Sequence, residues 1–438
     1  MHEVYGPIVR INPREIHISD PSYFAEIYSN GVQEKYPFMV GVAPLPGSTY
    51  STIDHNLHRT RRGILNPFFS KQAVTRMEHI VQDKVNKAAG RLEQAQHDRT
   101  VIRTDALFAA LASDVICRYT YGESSGYLEK ENLENEFRDA VTGASVFCHF
   151  TRFFFPIMMG MLQSMPSVIL WLQPKYKGYF DMERKLKQQN LAALQNTSNE
   201  KDSKWTIFHA LSDPSLHSEE RTPERLRNEA MTIMGAGTET TARVLTMGSY
   251  HLYNNRASLK RLRDELKTVM PEPTSQVSWS QLEKLPYLTA VINESLRLGH
   301  TATIRLPRVA PKKALVYKDY IIPPGTPVSQ LIYLVHMNSN VFPDPHTFNP
   351  ERWLESPQKG ERLDRFLVPF TKGSRICVGM NLSYAEMYLM FATLARRFDL
   401  EMQTAWEDIQ VTRDKLLGVP ENKDKLEVEA VVTGVVYE

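Results

Sequence analysis

The stretch Phe366-Leu-Val-Pro-Phe370-Thr-Lys-Gly373-Ser-Arg375-Ile-Cys377-Val-Gly379 puts a cysteine between two glycines, just ahead of a helical pattern from about Met380 to Arg397. Glycine at 373 and 379 allows backbone to approach a bulky planar object and to take conformations a side chain forbids. A helix behind Cys377 points its N-terminal amides at the sulfur, and Arg375 adds positive charge two residues away. Both favour thiolate over thiol. A loop thiolate of this kind suits an axial metal ligand. The plainer reading is a small buried hydrophobe. It fits an isolated cysteine better than it fits Phe370, Gly373, Arg375, Cys377 and Gly379 at this spacing.

A second stretch, Met234-Gly235-Ala236-Gly237-Thr238-Glu239-Thr240-Thr241, sits in the middle of a long helical pattern. Thr222-Pro223-Glu224 starts that helix with a cap, a proline at the first position and an acid. It is expected to continue to about Tyr253, ~30 residues and roughly 45 Å. Glycine and threonine are weak helix formers, so the cluster needs a reason. One reason is a close helix crossing. The other is a groove where oxygen and water meet the backbone, with Thr240 and Glu239 handling protons. Further on, Glu294 and Arg297 share a face of a shorter helix over Pro286 to Leu298.

These motifs resemble those of the cytochrome P-450 haem-thiolate monooxygenases. Phe370, Gly373, Arg375, Cys377 and Gly379 fill every fixed position of the family's haem-binding signature, and Ala236 to Thr241 is similar to its oxygen-activation motif. The N-terminal stretch through Asp20-Pro21 resembles fungal secondary-metabolism members of the trichodiene oxygenase type. The resemblance implies a mainly α fold with small β-sheets, a many-helix prism holding haem between the long helix and the cysteine loop. It implies one catalytic domain over 1–438. The cofactor would be iron protoporphyrin IX (haem b), with Cys377 as thiolate and metal ligand.

By the same resemblance, Ala236, Gly237, Phe370, Gly373 and Gly379 border the cofactor. Its propionates would meet Arg62, Arg308, Arg375 and His58. The family usually has Trp-x-x-x-Arg where this chain has His58 and Arg62; the Pro67-Phe-Phe-Ser that follows sets the alignment. A solvated basic helix face is the alternative there. Glu294 and Arg297 would be buried and completed by Arg352 from Pro350-Glu351-Arg352, a structural triad supporting the loop. Thr240, with Glu239 and water, would deliver protons while one oxygen atom enters an apolar molecule, a terpenoid or polyketide intermediate. The same fold also serves isomerases or dehydratases that need no external electrons, and it could persist as an inactive haem-binding remnant.

The chain shows no dinucleotide or flavin motif, so electrons must come from a separate protein. By resemblance that is NADPH–cytochrome P-450 reductase, with NADPH used only indirectly. The resemblance also allows cytochrome b5 as a second donor and a peripheral membrane contact. The expected place is the cytosolic face of the endoplasmic reticulum if an anchor is missing from this stretch, and the cytoplasm otherwise. The family's eukaryotic members usually begin with an anchor helix and a Pro-rich hinge, so a truncated sequence or an unanchored member is expected.

The elements that position these residues follow from pattern. Tyr5 to Ile18 reads as a hairpin and Asp20-Pro21 opens a helix to about Tyr28. Residues 36–54 read as a loop roofing the pocket, with 145–180 and 300–306 as its other borders by resemblance. Lys71 to Gln195 reads as mostly helical. Tyr320 to Thr326 reads as a hairpin with a type II Pro-Gly turn, and Leu426 to Tyr437 as a late hairpin over the pocket. Gly299 closes the helix before it. The 438 residues are 42% hydrophobic, enough for a large core. A net charge of +2 with interspersed signs gives no sign of nucleic acid binding. Three cysteines cannot make a disulfide framework. Phe153 to Leu172 is broken by Pro156, Gln163 and Pro166, too short a run to span a membrane. Asn196-Thr-Ser matches a glycosylation sequon that a cytosol-facing chain would not use.

Overall fold

The structure is a computed structural model that describes residues 1–42, 45–145, 148–151, 153–154, 164–195 and 206–436. Asn196 and Tyr437, and parts of the 36–54 and 145–180 stretches, lie outside these residues. The fold is mainly helical with small sheets. Its spine is the helix Pro223–Asn254, which runs unbroken through the Gly/Thr cluster and is buried along most of its length. Thr222 caps it, its side chain accepting the Arg225 amide. Threonine hydroxyls in the weak stretch bond back onto the helix: Thr238 to the Met234 carbonyl and Thr240 to the Ala236 carbonyl, both at 2.8 Å. Such back-bonding satisfies a hydroxyl inside a helix without solvent.

The helix Thr104–Tyr121 crosses the spine closely. A Cβ at Gly237 would come within 2.9 Å of Ile116 on that helix. Gly237 is therefore a crossing residue, as the helix-crossing reading expects. At Gly248 the spine meets two more helices, Pro286–Leu298 and Met380–Arg397. A Cβ there would strike the Ser295 side chain and Phe391.

Strands are numbered along the chain: β1 (Ile8–Arg10), β2 (Ile16–Ile18), β3 (Glu34–Lys35), β4 (Val101–Arg103), β5 (Arg308–Val309), β6 (Leu315–Tyr317), β7 (Tyr320–Ile322), β8 (Pro327–Ser329), β9 (Phe398–Met402), β10 (Arg413–Lys415), β11 (Leu417–Val419) and β12 (Glu429–Val435). The largest sheet has the order β1-β2-β8-β5-β3. β1 and β2 form the hairpin expected from Tyr5 to Ile18. Two expectations fail. The hairpin near 320 is β6–β7, turning at Lys318, whose φ is 51°. The Pro324-Gly325 turn, with Gly325 at φ 81°, instead carries the chain from β7 into the other sheet at β8. The late strand β12 pairs with β4 and β9. A different hairpin, β10–β11, lies against residues 300–303: Thr303 N donates to the Leu416 carbonyl at 3.2 Å. Gly299 ends its helix at φ −68°, and the left-handed residue is His300 at 45°. Space at 299 is tight, since a Cβ would lie 3.0 Å from the Ser295 carbonyl and 3.2 Å from Val244.

Among the described residues, no helix is long and apolar enough to cross a membrane. The helix Pro166–Leu172 has no buried residue, and Trp171 is 80% exposed.

Candidate active site

The cysteine loop is held from behind. Helix Met380–Arg397 begins directly after Gly379, as the pattern requires. The Cys377 amide donates to the Phe370 carbonyl at 3.0 Å, closing the loop on itself. Phe370 packs its ring 5.4 Å from Tyr384. Gly373, at φ 75°, has room for no Cβ, because the Tyr28 carbonyl and Ser29 stand in the way. The protein's own backbone is enough to demand glycine there. Gly379 has φ −81° and no atom within 4 Å of where a Cβ would be, so neither strain nor protein crowding calls for glycine there.

The sulfur of Cys377 belongs to an exposed residue, whereas Cys117 and Cys148 are buried. Surrounding protein pushes its thiol up; the Gly379 amide and Arg62 pull it back. Arg62, not Arg375, is thus the cation that acts on the sulfur. It donates to the Ile376 carbonyl at 2.8 Å and to Asn66 Oδ1 at 2.6 Å, from the helix His55–Leu65. Arg375 reaches the carbonyls of Thr52 and Ile53 at 2.7 and 2.6 Å.

His58 lies on the same helix, 4% exposed. Burial, then Arg375 and Arg62, hold its pKa down to about 3, which favours the neutral imidazole. Arg308 is buried in β5, donates to the Leu306 and Pro307 carbonyls at 3.3 Å, and sits over the Tyr28 ring. Beside it lies Lys35, which the sequence reading missed. It is 6% exposed, donates to the Tyr50 carbonyl, and is driven well below its ordinary pKa by burial, Arg308 and Arg375. Nothing in Gln33-Glu-Lys-Tyr-Pro distinguishes it from a surface lysine; only the strand register brings it inside.

Lys35, Arg62, Arg308 and Arg375 find neutral acceptors but, among the described residues, no ion pair. A buried charge of one sign needs its opposite. An iron porphyrin, with two carboxylates and an iron that takes a thiolate, fits this donor set.

The motif of the spine divides. Ala236 is exposed and Thr240 half-buried in a helix whose flanks are buried, so these two face an opening. Thr241 donates to Ser383 Oγ at 3.0 Å, and the Ser383 amide donates to the Gly379 carbonyl at 2.9 Å. The motif is thereby tied to the first turn of the cysteine-side helix. Glu239 is otherwise engaged. Arg138, from helix Glu136–Ser145, donates to its Oε2 at 2.5 Å, and Arg243 lies 3.9 Å from Oε1. Arg138 also donates to Asp105 at 2.9 Å. Burial opposes the charge on Arg138, but Glu239 and Asp105 more than restore it and raise its pKa. The carboxylate of Glu239 is bound in this network.

The triad comes together. Arg297 donates twice to Glu294, at 2.9 and 2.7 Å, and Arg352 donates to it at 3.2 Å. Trp353 Nε1 adds a bond at 3.0 Å, which the sequence reading missed. Arg297 also donates to the His336 carbonyl at 3.0 Å, and the His336 ring accepts the Val368 amide at 3.1 Å. Val368 lies in the stretch that leads to Cys377, so the triad is linked to the cysteine loop through His336.

A separate apolar cluster, detached from the main core, joins Tyr36, Met39, Val42, Cys148 and Ile304, with Leu416 packed against it. It draws on all three pocket-forming stretches named from sequence, and adds the β10–β11 hairpin.

The fold ties a threonine-bearing helix to the helix that follows the cysteine loop, and adds buried cations with no ion pair among the described residues. The chain belongs to the cytochrome P450 family, whose model matches residues 1–428. It is 42% identical to cytochrome P450 monooxygenase aflU of Aspergillus parasiticus, over 99% of this chain and 87% of that one. It is 41% identical to conidiogenone synthase PchP450 of Penicillium rubens, over 97% and 85%. It is 39% identical to cytochrome P450 monooxygenase TRI4 of Trichoderma arundinaceum, over 96% and 82%. The chain is a monooxygenase of this family, which implies haem-thiolate iron, dioxygen and a redox partner.

Proposed function

We propose that this chain, acting as one catalytic unit over 1–438, inserts an oxygen atom from dioxygen into an apolar intermediate of fungal secondary metabolism, a terpenoid or polyketide. Electrons would come from NADPH–cytochrome P-450 reductase, at the cytosolic face of the endoplasmic reticulum if an anchor is missing from this stretch and in the cytoplasm otherwise. The observations that support the reading are the exposed residue Cys377 in its Gly-flanked loop, with Arg62 close by, and the buried cations Lys35 and Arg308, which have no ion pair among the described residues. When bound, haem b supplies the oxidising chemistry, and thiolate ligation favours O–O cleavage.

The residues divide the remaining work. Cys377 supplies the thiolate, with Arg62 and the Gly379 amide favouring its charged form. Arg62, Arg308 and Arg375 hold the propionates, and neutral His58 can donate one hydrogen bond to them. Thr240 donates its own proton to the Ala236 carbonyl, which leaves its oxygen able to accept from water and hold a proton donor in place. Glu239 positions the spine through Arg138. The apolar cluster around Ile304 and Met39 selects an apolar substrate by excluding water.

The test is the reduced-carbonyl spectrum, followed by a panel of terpenoids and polyketides screened for a shift in haem absorption and for product with reductase and NADPH. Cys377→Ala should lose the red-shifted band of a thiolate haem, while Cys117→Ala and Cys148→Ala keep it. Loss of the band in either of the latter, with retention in Cys377→Ala, would overturn the assignment.

A further inference from the structure

β3 and β5 lie side by side, and their register sets Lys35 directly opposite Arg308. Like charges facing each other across a ladder are destabilising. Here both are also buried, at 6% and 5% exposure. A salt bridge to a neighbouring acid would resolve the conflict, but among the described residues neither has one. Lys35 has the Tyr50 carbonyl and the face of the Tyr50 ring. Arg308 has two carbonyls at 3.3 Å and the face of Tyr28. Arg375 is held on the carbonyls of Thr52 and Ile53. Each cation keeps hydrogen-bonding capacity, since an ammonium has three donors and a guanidinium five. The two strands thus converge two charges of one sign on one buried place.

We propose that Lys35 and Arg308, opposed across β3 and β5, form a single anion site that grips the carboxylate side chains of the porphyrin, with Lys35 as a cofactor-holding residue in its own right. The proposal rests on the haem-thiolate reading above. An anion shared by the two cations turns a repulsive cross-strand pair into two charge-assisted hydrogen bonds. A purely structural lysine would be indifferent to the charge of the cofactor's side chains; Lys35 depends on it.

That dependence gives the experiment. Holoprotein is loaded either with protoporphyrin IX iron or with its dimethyl ester, whose side chains are neutral. Transfer of the cofactor to excess apomyoglobin is followed by absorption for the wild type, Lys35→Met and Lys35→Arg. With the free-acid cofactor, Lys35→Met should release it about tenfold faster, equivalent to about 1.4 kcal/mol, and Lys35→Arg should stay near the wild type. With the ester, all three should release at similar rates. If Lys35→Met speeds release of both cofactors equally, its role is packing and the proposal fails. If it speeds neither, the proposal fails as well. In both cases a wild type that keeps its thiolate spectrum leaves the haem-thiolate reading standing. A wild type that takes up no haem overturns both.

Discussion

Thr240 and Glu239 are adjacent in sequence but have unlike surroundings. Thr240 is half-buried and bonded only within its own helix, while Glu239 is buried among arginines. Thr240→Ala should therefore fold and bind haem as the wild type does, while NADPH consumption runs to peroxide or water. Unchanged product per NADPH would remove Thr240 from proton handling. Glu239→Gln should instead lower stability, by about 3–5 kcal/mol, because it strands buried positive charge; a denaturant titration reads this directly. Glu386 behaves differently again. Its Oε2 is buried without a hydrogen-bond partner among the described residues, and burial alone pushes its carboxyl well above the usual range. A raised pKa means the fold favours the protonated acid. That contribution is whole below the ordinary value of about 4.3 and is lost as pH rises toward the folded-state value. Glu386→Gln should gain in thermal midpoint over the wild type, and more at about pH 8 than at about pH 5. A pH-independent difference would show that the carboxyl titrates normally. At this scale Cys377, Arg62 and the triad were legible because each belongs to a dense motif. Lys35 and Arg138 were not, because single cations gain meaning only from the strand or helix placed opposite.

The β10–β11 hairpin was illegible for a related reason. Arg413-Asp-Lys-Leu-Leu-Gly-Val shows no apolar alternation, and its turn residue Leu416 sits at φ 73° without a glycine or asparagine to announce it. The alternating run that was visible became β12, whose partners lie far away in sequence. One side of this hairpin is locked: a Cβ at Gly418 would strike Val411 and Thr303. The other side is held by charge. His149 Nε2 lies 3.0 Å from the Asp414 carbonyl and 3.3 Å from its carboxylate; that carboxylate, and then Cys148, raise His149 to about 10. Asp414 also accepts Thr303 Oγ1 at 2.8 Å. His149→Ala should speed amide hydrogen exchange in residues 148–151 and leave β10–β11 nearly as protected as before. Equal acceleration in both segments would mean that the hairpin is not anchored independently.

For the whole molecule, fold class and the course of the major helices followed from the sequence, since the spine and the cysteine-side helix are long and the spine is capped by Thr222. How the helices stack did not follow, because crossings depend on which small residue meets which neighbour. Gly248 is the clearest case. The spine, the triad-bearing helix and the cysteine-side helix converge on a position with no side chain. Over-packing a tight contact typically costs about 1–3 kcal/mol, and Gly248→Ala should lower the thermal midpoint accordingly. It should also shift the haem absorption band, because Thr240 stands eight residues away, roughly 12 Å along the same rigid rod. A normal spectrum in a destabilised variant would confine the effect to the crossing. In mechanical terms Gly248 is a shim of zero thickness: the clearance between the wall bearing Thr240 and the wall behind Cys377 is gauged where three rods touch, and any material inserted there would tilt one wall against the other.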